Sequence, residues 1–180
     1  MNITRALIPA ALAAALLVSG CSAGGGKDAA GKDCLAAGDA SKQVEVKGKV
    51  GEDLELTSKT PISADKLQRS VLKEGEGDAV KEGQTIEVAM TMFNATDGKM
   101  VTQQPQGALP YQAGTYNSWA EEGLRCAAPG QRIALVGTSK DILGGQAVDG
   151  ITDKDSLIVV MQFGKIETPL KRAEGTAQKA

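Results

Sequence analysis

The chain has 180 residues, with 20 Lys+Arg against 22 Asp+Glu, no histidine, three cysteines and five aromatic side chains: Phe93, Tyr111, Tyr116, Trp119 and Phe163. Without histidine, Ser-His-Asp and Cys-His catalysis and imidazole metal ligation are excluded, and a formal charge of −2 with few aromatics argues against a nucleic-acid partner. The length allows one domain of ordinary size plus tails, and 42% apolar residues suffice for a core.

Residues 1–20 carry a single charge, Arg5, followed by an apolar run from Ala6 to Val18. That run is too short to cross a hydrocarbon core about 30 Å thick but suits the h-region of a secretory signal peptide. It ends in Val18-Ser19-Gly20-Cys21, which resembles the bacterial lipobox. Cleavage before Cys21 and acylation of its thiol would anchor the protein on the extracytoplasmic side of the cell membrane, because several acyl chains hold where one binds only marginally. Residues 21–42 begin with a Gly/Ala/Lys stretch that reads as a flexible tether. Its matches to G-x-S-x-G (Gly20–Gly24) and to a P-loop (Gly26–Asp33) are chance, the second because Asp33 stands where Ser or Thr is needed.

With Cys21 given to lipid, Cys34 and Cys126 remain, in a compartment that permits oxidation. They are expected to pair; the alternative is two buried free thiols. From Val44 the apolar residues alternate (Val44, Val46, Val50, then Leu54, Leu56) around Gly51-Glu-Asp53, so a hairpin is expected over 43–60, within an N-terminal β extension spanning 43–66.

Residues 67–167 form the main domain. Strands are predicted at Leu67–Leu72, Thr85–Phe93, Met100–Thr102, Arg132–Val136 and Leu157–Ile166, with Asp97-Gly98 as a hairpin turn. The sequon Asn94-Ala95-Thr96 reads as the approach to that turn. Ser118 and Glu121 have capping-box spacing, so one short helix is predicted over Trp119–Cys126, stopped by Pro129-Gly130. The expected class is α+β, an antiparallel sheet wrapped around one short helix, with a disordered tail over 168–180.

The motifs of this region resemble, in order and near-correct spacing, an FKBP-type peptidyl-prolyl cis-trans isomerase domain. They are Val71-Leu-Lys-Glu-Gly-Glu-Gly77, Val80-Lys-Glu-Gly83, Ile86-Glu-Val-Ala-Met-Thr91, Asp97-Gly-Lys99, Trp119-Ala-Glu-Glu-Gly123-Leu, Pro129-Gly-Gln-Arg132, Leu143-Gly-Gly145, Gly150-Ile151 and Ser156-Leu-Ile-Val159. The resemblance implies an apolar pocket for a prolyl ring, with Trp119 as its floor and Met90, Val101, Thr102, Leu109, Leu143, Ile151 and Val159 at pocket positions. It also implies a backbone N–H near Ile151 that holds the substrate carbonyl. The sequence departs from the family pattern here: Met90 replaces a tyrosine, Val101-Thr102 a Phe-Asp pair, and Val159 a phenylalanine. The implied partners are proline-containing polypeptides, with no cofactor and no metal, since amide rotation needs no proton transfer. The implied activity is weak prolyl isomerisation that assists exported proteins; the alternative is a non-catalytic binding or chaperone lipoprotein.

Overall fold

The run Leu157-Ile158-Val159-Val160-Met161 presents no polar side chain on either face of a strand, a pattern that calls for burial on both sides. All five are buried in the structure, a computed structural model that describes Lys27 and residues 31–169. Cys21, the signal peptide and the end of the C-terminal tail lie outside the described residues.

The elements in chain order are β1 (Val46–Lys47), β2 (Glu55–Leu56), β3 (Gln68–Lys73), β4 (Thr85–Asn94), β5 (Met100–Pro110), α1 (Ser118–Leu124), β6 (Arg132–Thr138), α2 (Ser139–Leu143) and β7 (Ser156–Glu167). β1 and β2 pair by themselves, and the other five strands form an antiparallel sheet in the order β3-β6-β7-β4-β5. The architecture is α+β, as expected.

Pleating divides the apolar residues between two cores. Ile133, Leu135, Leu157, Val159, Met161 and Phe163 join one cluster with Leu124 of α1 and Ile142 of α2. Their neighbours Ala134, Val136, Ile158 and Val160 join a second cluster with Ala40, Val44, Val50, Leu54, Ile62 and Ala64. Because successive side chains leave a strand on opposite faces, helices cover one face of the sheet and the N-terminal extension covers the other.

The stretch expected to end the flexible tether is packed from Cys34 onward: Cys34, Ala40 and Ser41 are buried, and a single 3-10 turn spans Ser41–Gln43. The disulfide between Cys34 and Cys126, with Cα atoms 6.0 Å apart, fastens it beyond the end of α1. At the 94–100 turn, Asn94 is buried and its Oδ1 accepts from the Thr96 amide at 2.8 Å, a turn role rather than a glycan acceptor.

Two local expectations are corrected: the capping box at Ser118, and the single helix, since α2 is a second one. The predicted capping box does not form, because α1 begins at Ser118 itself; Asn117 is the cap residue without a side-chain bond, and Glu121 Oε1 accepts from the Tyr116 amide at 3.1 Å. A capping box forms instead at α2, where Thr138 Oγ1 accepts from the Asp141 amide at 3.1 Å and Asp141 Oδ2 accepts from the Thr138 amide at 3.2 Å. Gly144 closes that helix at φ 62°.

Candidate functional site

α1 lies close on the sheet because Gly123 faces it. A Cβ at Gly123 would stand 2.7 Å from Met161 Sδ and 3.2 Å from Leu135 Cδ1. This close approach lays Trp119, one turn earlier in α1, against the helix-side core.

Seven of the eight sequence-predicted pocket residues meet in that core. Met90, Val101, Leu109, Trp119, Leu143 and Ile151 are half-buried and pack against it. Val159 is wholly buried, set between Met92 of β4 and Leu135 of β6, so it belongs to the floor of the sheet and is out of a ligand's reach. Thr102 is the exception. It is exposed on β5, at the point where the pairing with β4 shifts register between Met92 and Phe93. Sequence reasoning left out Tyr116, which packs on the same cluster; its position three residues before Trp119 was the available signal.

The polar groups around this apolar patch are nearly all engaged. The Ile151 amide, where the resemblance implied a donor for substrate, donates to the Val148 carbonyl at 3.1 Å. The Thr152 amide donates to Asp155 Oδ2 at 2.7 Å, and the Thr152 hydroxyl lies 2.8 Å from the same oxygen. The Thr96 hydroxyl, with those two Thr152 donors, holds the Asp155 carboxyl below the usual carboxylate range. The Tyr116 hydroxyl donates to the Pro110 carbonyl. The Trp119 indole Nε1 is buried and has no hydrogen-bond partner. Among the described residues, no group of three His, Cys, Asp or Glu side chains could hold a metal ion.

Open space lies elsewhere. A cleft of about 590 Å³ runs along the outer side of α1, lined by Val80, Tyr111, Ser118, Glu121, Glu122 and Arg125 among others. Its size suits a ligand, but charged side chains share its walls with apolar ones, and Glu122 is paired with Arg125. A cavity of about 140 Å³ between α2 and the following loop is lined by Leu143 and Ile151, with the buried Ser139 beside them. Neither space is lined by Met90, Val101, Leu109 or Trp119. Of the half-buried apolar residues, Leu143 and Ile151 border the small cavity.

No protein-family model matches the chain, and no curated protein sequence matches it. Among solved structures it is similar to the crystal structure of FkpA from Escherichia coli, with a TM-score of 0.45 and 23% identity over 57% of this chain and 48% of that one. It is also similar to a peptidyl-prolyl cis-trans isomerase from Pseudomonas syringae pv. tomato, with a TM-score of 0.46 and 18% identity over 57% of this chain and 76% of that one. The chain spans about half the length of FkpA.

Proposed function

We propose that this protein is an FKBP-like prolyl isomerase of low activity, anchored by a lipid on Cys21 to the outer side of the cell membrane, where it acts on proline-containing segments of exported polypeptides. The observation that carries the reading is that Met90, Val101, Leu109, Trp119, Leu143 and Ile151, drawn from five separate segments, all pack half-buried against the core on the helix-covered face of the sheet. The family-like order of motifs across the same hundred or so residues adds to it.

The chemistry suits such a patch. Rotation about an X–Pro bond crosses a barrier of about 18–20 kcal/mol, because the planar amide has resonance that the twisted form lacks. Apolar surroundings that strip water from the prolyl amide and fit the twisted form better than the planar one lower that barrier without acid, base or metal. Leu143 and Ile151 flank the loop between α2 and β7, and Trp119 supplies the broadest apolar surface. The absence of the family's Tyr hydroxyl at Met90 and Asp carboxylate at Thr102 is the reason to expect a slow catalyst.

A second reading, a non-catalytic module that grips apolar or prolyl segments, is favoured by the engagement of the Ile151 amide with the Val148 carbonyl and by the absence of the family's Tyr and Asp at Met90 and Thr102. One experiment separates the two. A protease-free prolyl-peptide assay on the chain from Lys27 should show acceleration that falls in Trp119→Ala. Binding of the peptide without acceleration would establish the second reading, and neither binding nor acceleration would end both. Metabolic labelling with a fatty acid, lost in Cys21→Ser, tests the anchor.

A further inference from the structure

The buried side-chain polar atoms without a partner, among the described residues, are Arg69 Nε, Trp119 Nε1 and Ser139 Oγ. The first belongs to a guanidinium whose Nη2 is already bonded to the Cys126 carbonyl and Gln131. The third lies beside the small cavity next to α2. The second stands in the apolar patch itself, where none of the described residues answers it.

A buried donor without an acceptor is rare in native proteins and calls for a reason. The hydrogen bonds made around α1 and the loop after α2 leave this donor out. Glu121 Oε1 takes the Tyr116 amide and the Pro110 carbonyl takes the Tyr116 hydroxyl. The Ile151 amide is closed into a turn on Val148, and the Thr152 amide onto Asp155. The remaining side chains of the patch, Met90, Val101, Leu109, Leu143 and Ile151, have no N–H or O–H to offer.

The geometry points to the Trp119 indole N–H as the group that donates to a carbonyl of the bound peptide, in place of the engaged amide of Ile151. This inference rests on the reading of the patch as a prolyl site. Nε1 is sealed from solvent, so the peptide reaches it by parting the half-buried side chains around it. The orphaned donor leaves the unliganded chain short of one hydrogen bond, and a peptide carbonyl restores it. Trp119 then has two roles, an apolar surface for the ring and a donor that fixes where the carbonyl lies. A ligand with the ring but no carbonyl would bind the surface without engaging the donor.

The chain contains a single tryptophan, so uniform ¹⁵N labelling gives one indole resonance. The probe is the aliphatic peptide N-acetyl-Ala-Pro-Ala-amide, which brings no ring current, titrated into the chain from Lys27. The indole proton should move downfield in step with the backbone amides of Leu143 and Ile151, and Trp119→Phe should weaken the peptide about two- to tenfold, the worth of one neutral hydrogen bond. Cyclopentane, a neutral five-membered ring with no carbonyl, should leave the indole proton without the downfield shift. Movement of the Leu143 and Ile151 amides with a stationary indole proton would overturn the inference and leave the prolyl site standing. An indole proton already at its hydrogen-bonded position without peptide would also overturn it. No movement anywhere would overturn the prolyl site and the inference together.

Discussion

The amide of Gly51 donates to the hydroxyl of Thr91 at 2.9 Å, tying the N-terminal extension to the middle of β4. Thr91 is wholly buried, and Gly51 has φ 80° with a virtual Cβ only 2.3 Å from the Gln104 carbonyl oxygen. Thr91→Val keeps the shape and strands the Gly51 N–H, so a loss of about 1–3 kcal/mol is expected. Gly51→Ala should lose more, since left-handed strain of about 1–2 kcal/mol adds to a clash with backbone that cannot swing away. Urea unfolding measures both. An unchanged midpoint for Thr91→Val would mean that the extension is held elsewhere.

The Cys34–Cys126 bond joins residues 92 apart in sequence. Closing so long a loop restricts the unfolded chain, and removing a native disulfide costs about 2–5 kcal/mol. Unfolding followed with and without a reductant, and in the Cys34→Ala, Cys126→Ala double variant, should show that loss. Equal midpoints in all three would count against the crosslink as a stabilising element.

Arg69 is 5% exposed and, among the described residues, has no carboxylate in ion-pair contact. Burial pushes its guanidinium down to about 10, against the pull of Glu74 and Glu122. A base whose folded pKa is depressed opposes folding at neutral pH, and the opposition fades only as pH rises through about 10. Arg69→Met removes the buried charge and should change stability by about 1 kcal/mol or less. Gln131→Leu keeps the charge and takes away an acceptor at 3.1 Å, so about 1–3 kcal/mol should be lost. A Gln131 variant no less stable than the Arg69 variant would reverse this account.

Three solvent-facing carboxylates have lowered pKa values: Glu87 through the Lys165 amide and then Gln106, Asp97 through the Lys99 amide, and Asp155 through the Thr96 hydroxyl. Depressed acids contribute stability that is complete above their unfolded pKa of about 4 and is lost as pH falls through the folded values. With no histidine in the chain, nothing of comparable kind titrates between about pH 5 and 8. Thermal melts should therefore be flat over that range and fall below about pH 4. A slope centred near pH 6.5 would be at odds with the composition.

The strands of the sheet were readable because period-two alternation and a strong turn at Asp97-Gly98 leave few other arrangements. The continuous apolar run of β7 already implied cover on both faces, yet its second cover is assembled from small, scattered residues such as Ala40, Ala64 and Ala95, which carry no periodic signal. β5 continues to Pro110, well past its expected end at Thr102, because residues 103–108 are polar, small or Pro and are held by pairing with β4. The second helix was foreshadowed by Thr138, Asp141 and Gly144, but five residues are too few for a helical stripe to show. At the candidate site, residue types told which positions would be apolar. They could not tell that Thr102 faces out, that Ile151 closes a turn, or that Trp119 is left with an unanswered donor. These depend on register and turn geometry that only the folded chain defines.

The crosslink beyond α1 also governs how mechanical load would travel. Tension applied upstream of Cys34 passes through the sulfur bridge to Cys126 and on toward β6, a central strand of the sheet. The extension and the strands from β3 to β5 lie inside the covalent loop and bear none of that pull. A body held from its N-terminal end could thus resist a tugging partner without peeling away the layer that covers one whole face of its sheet.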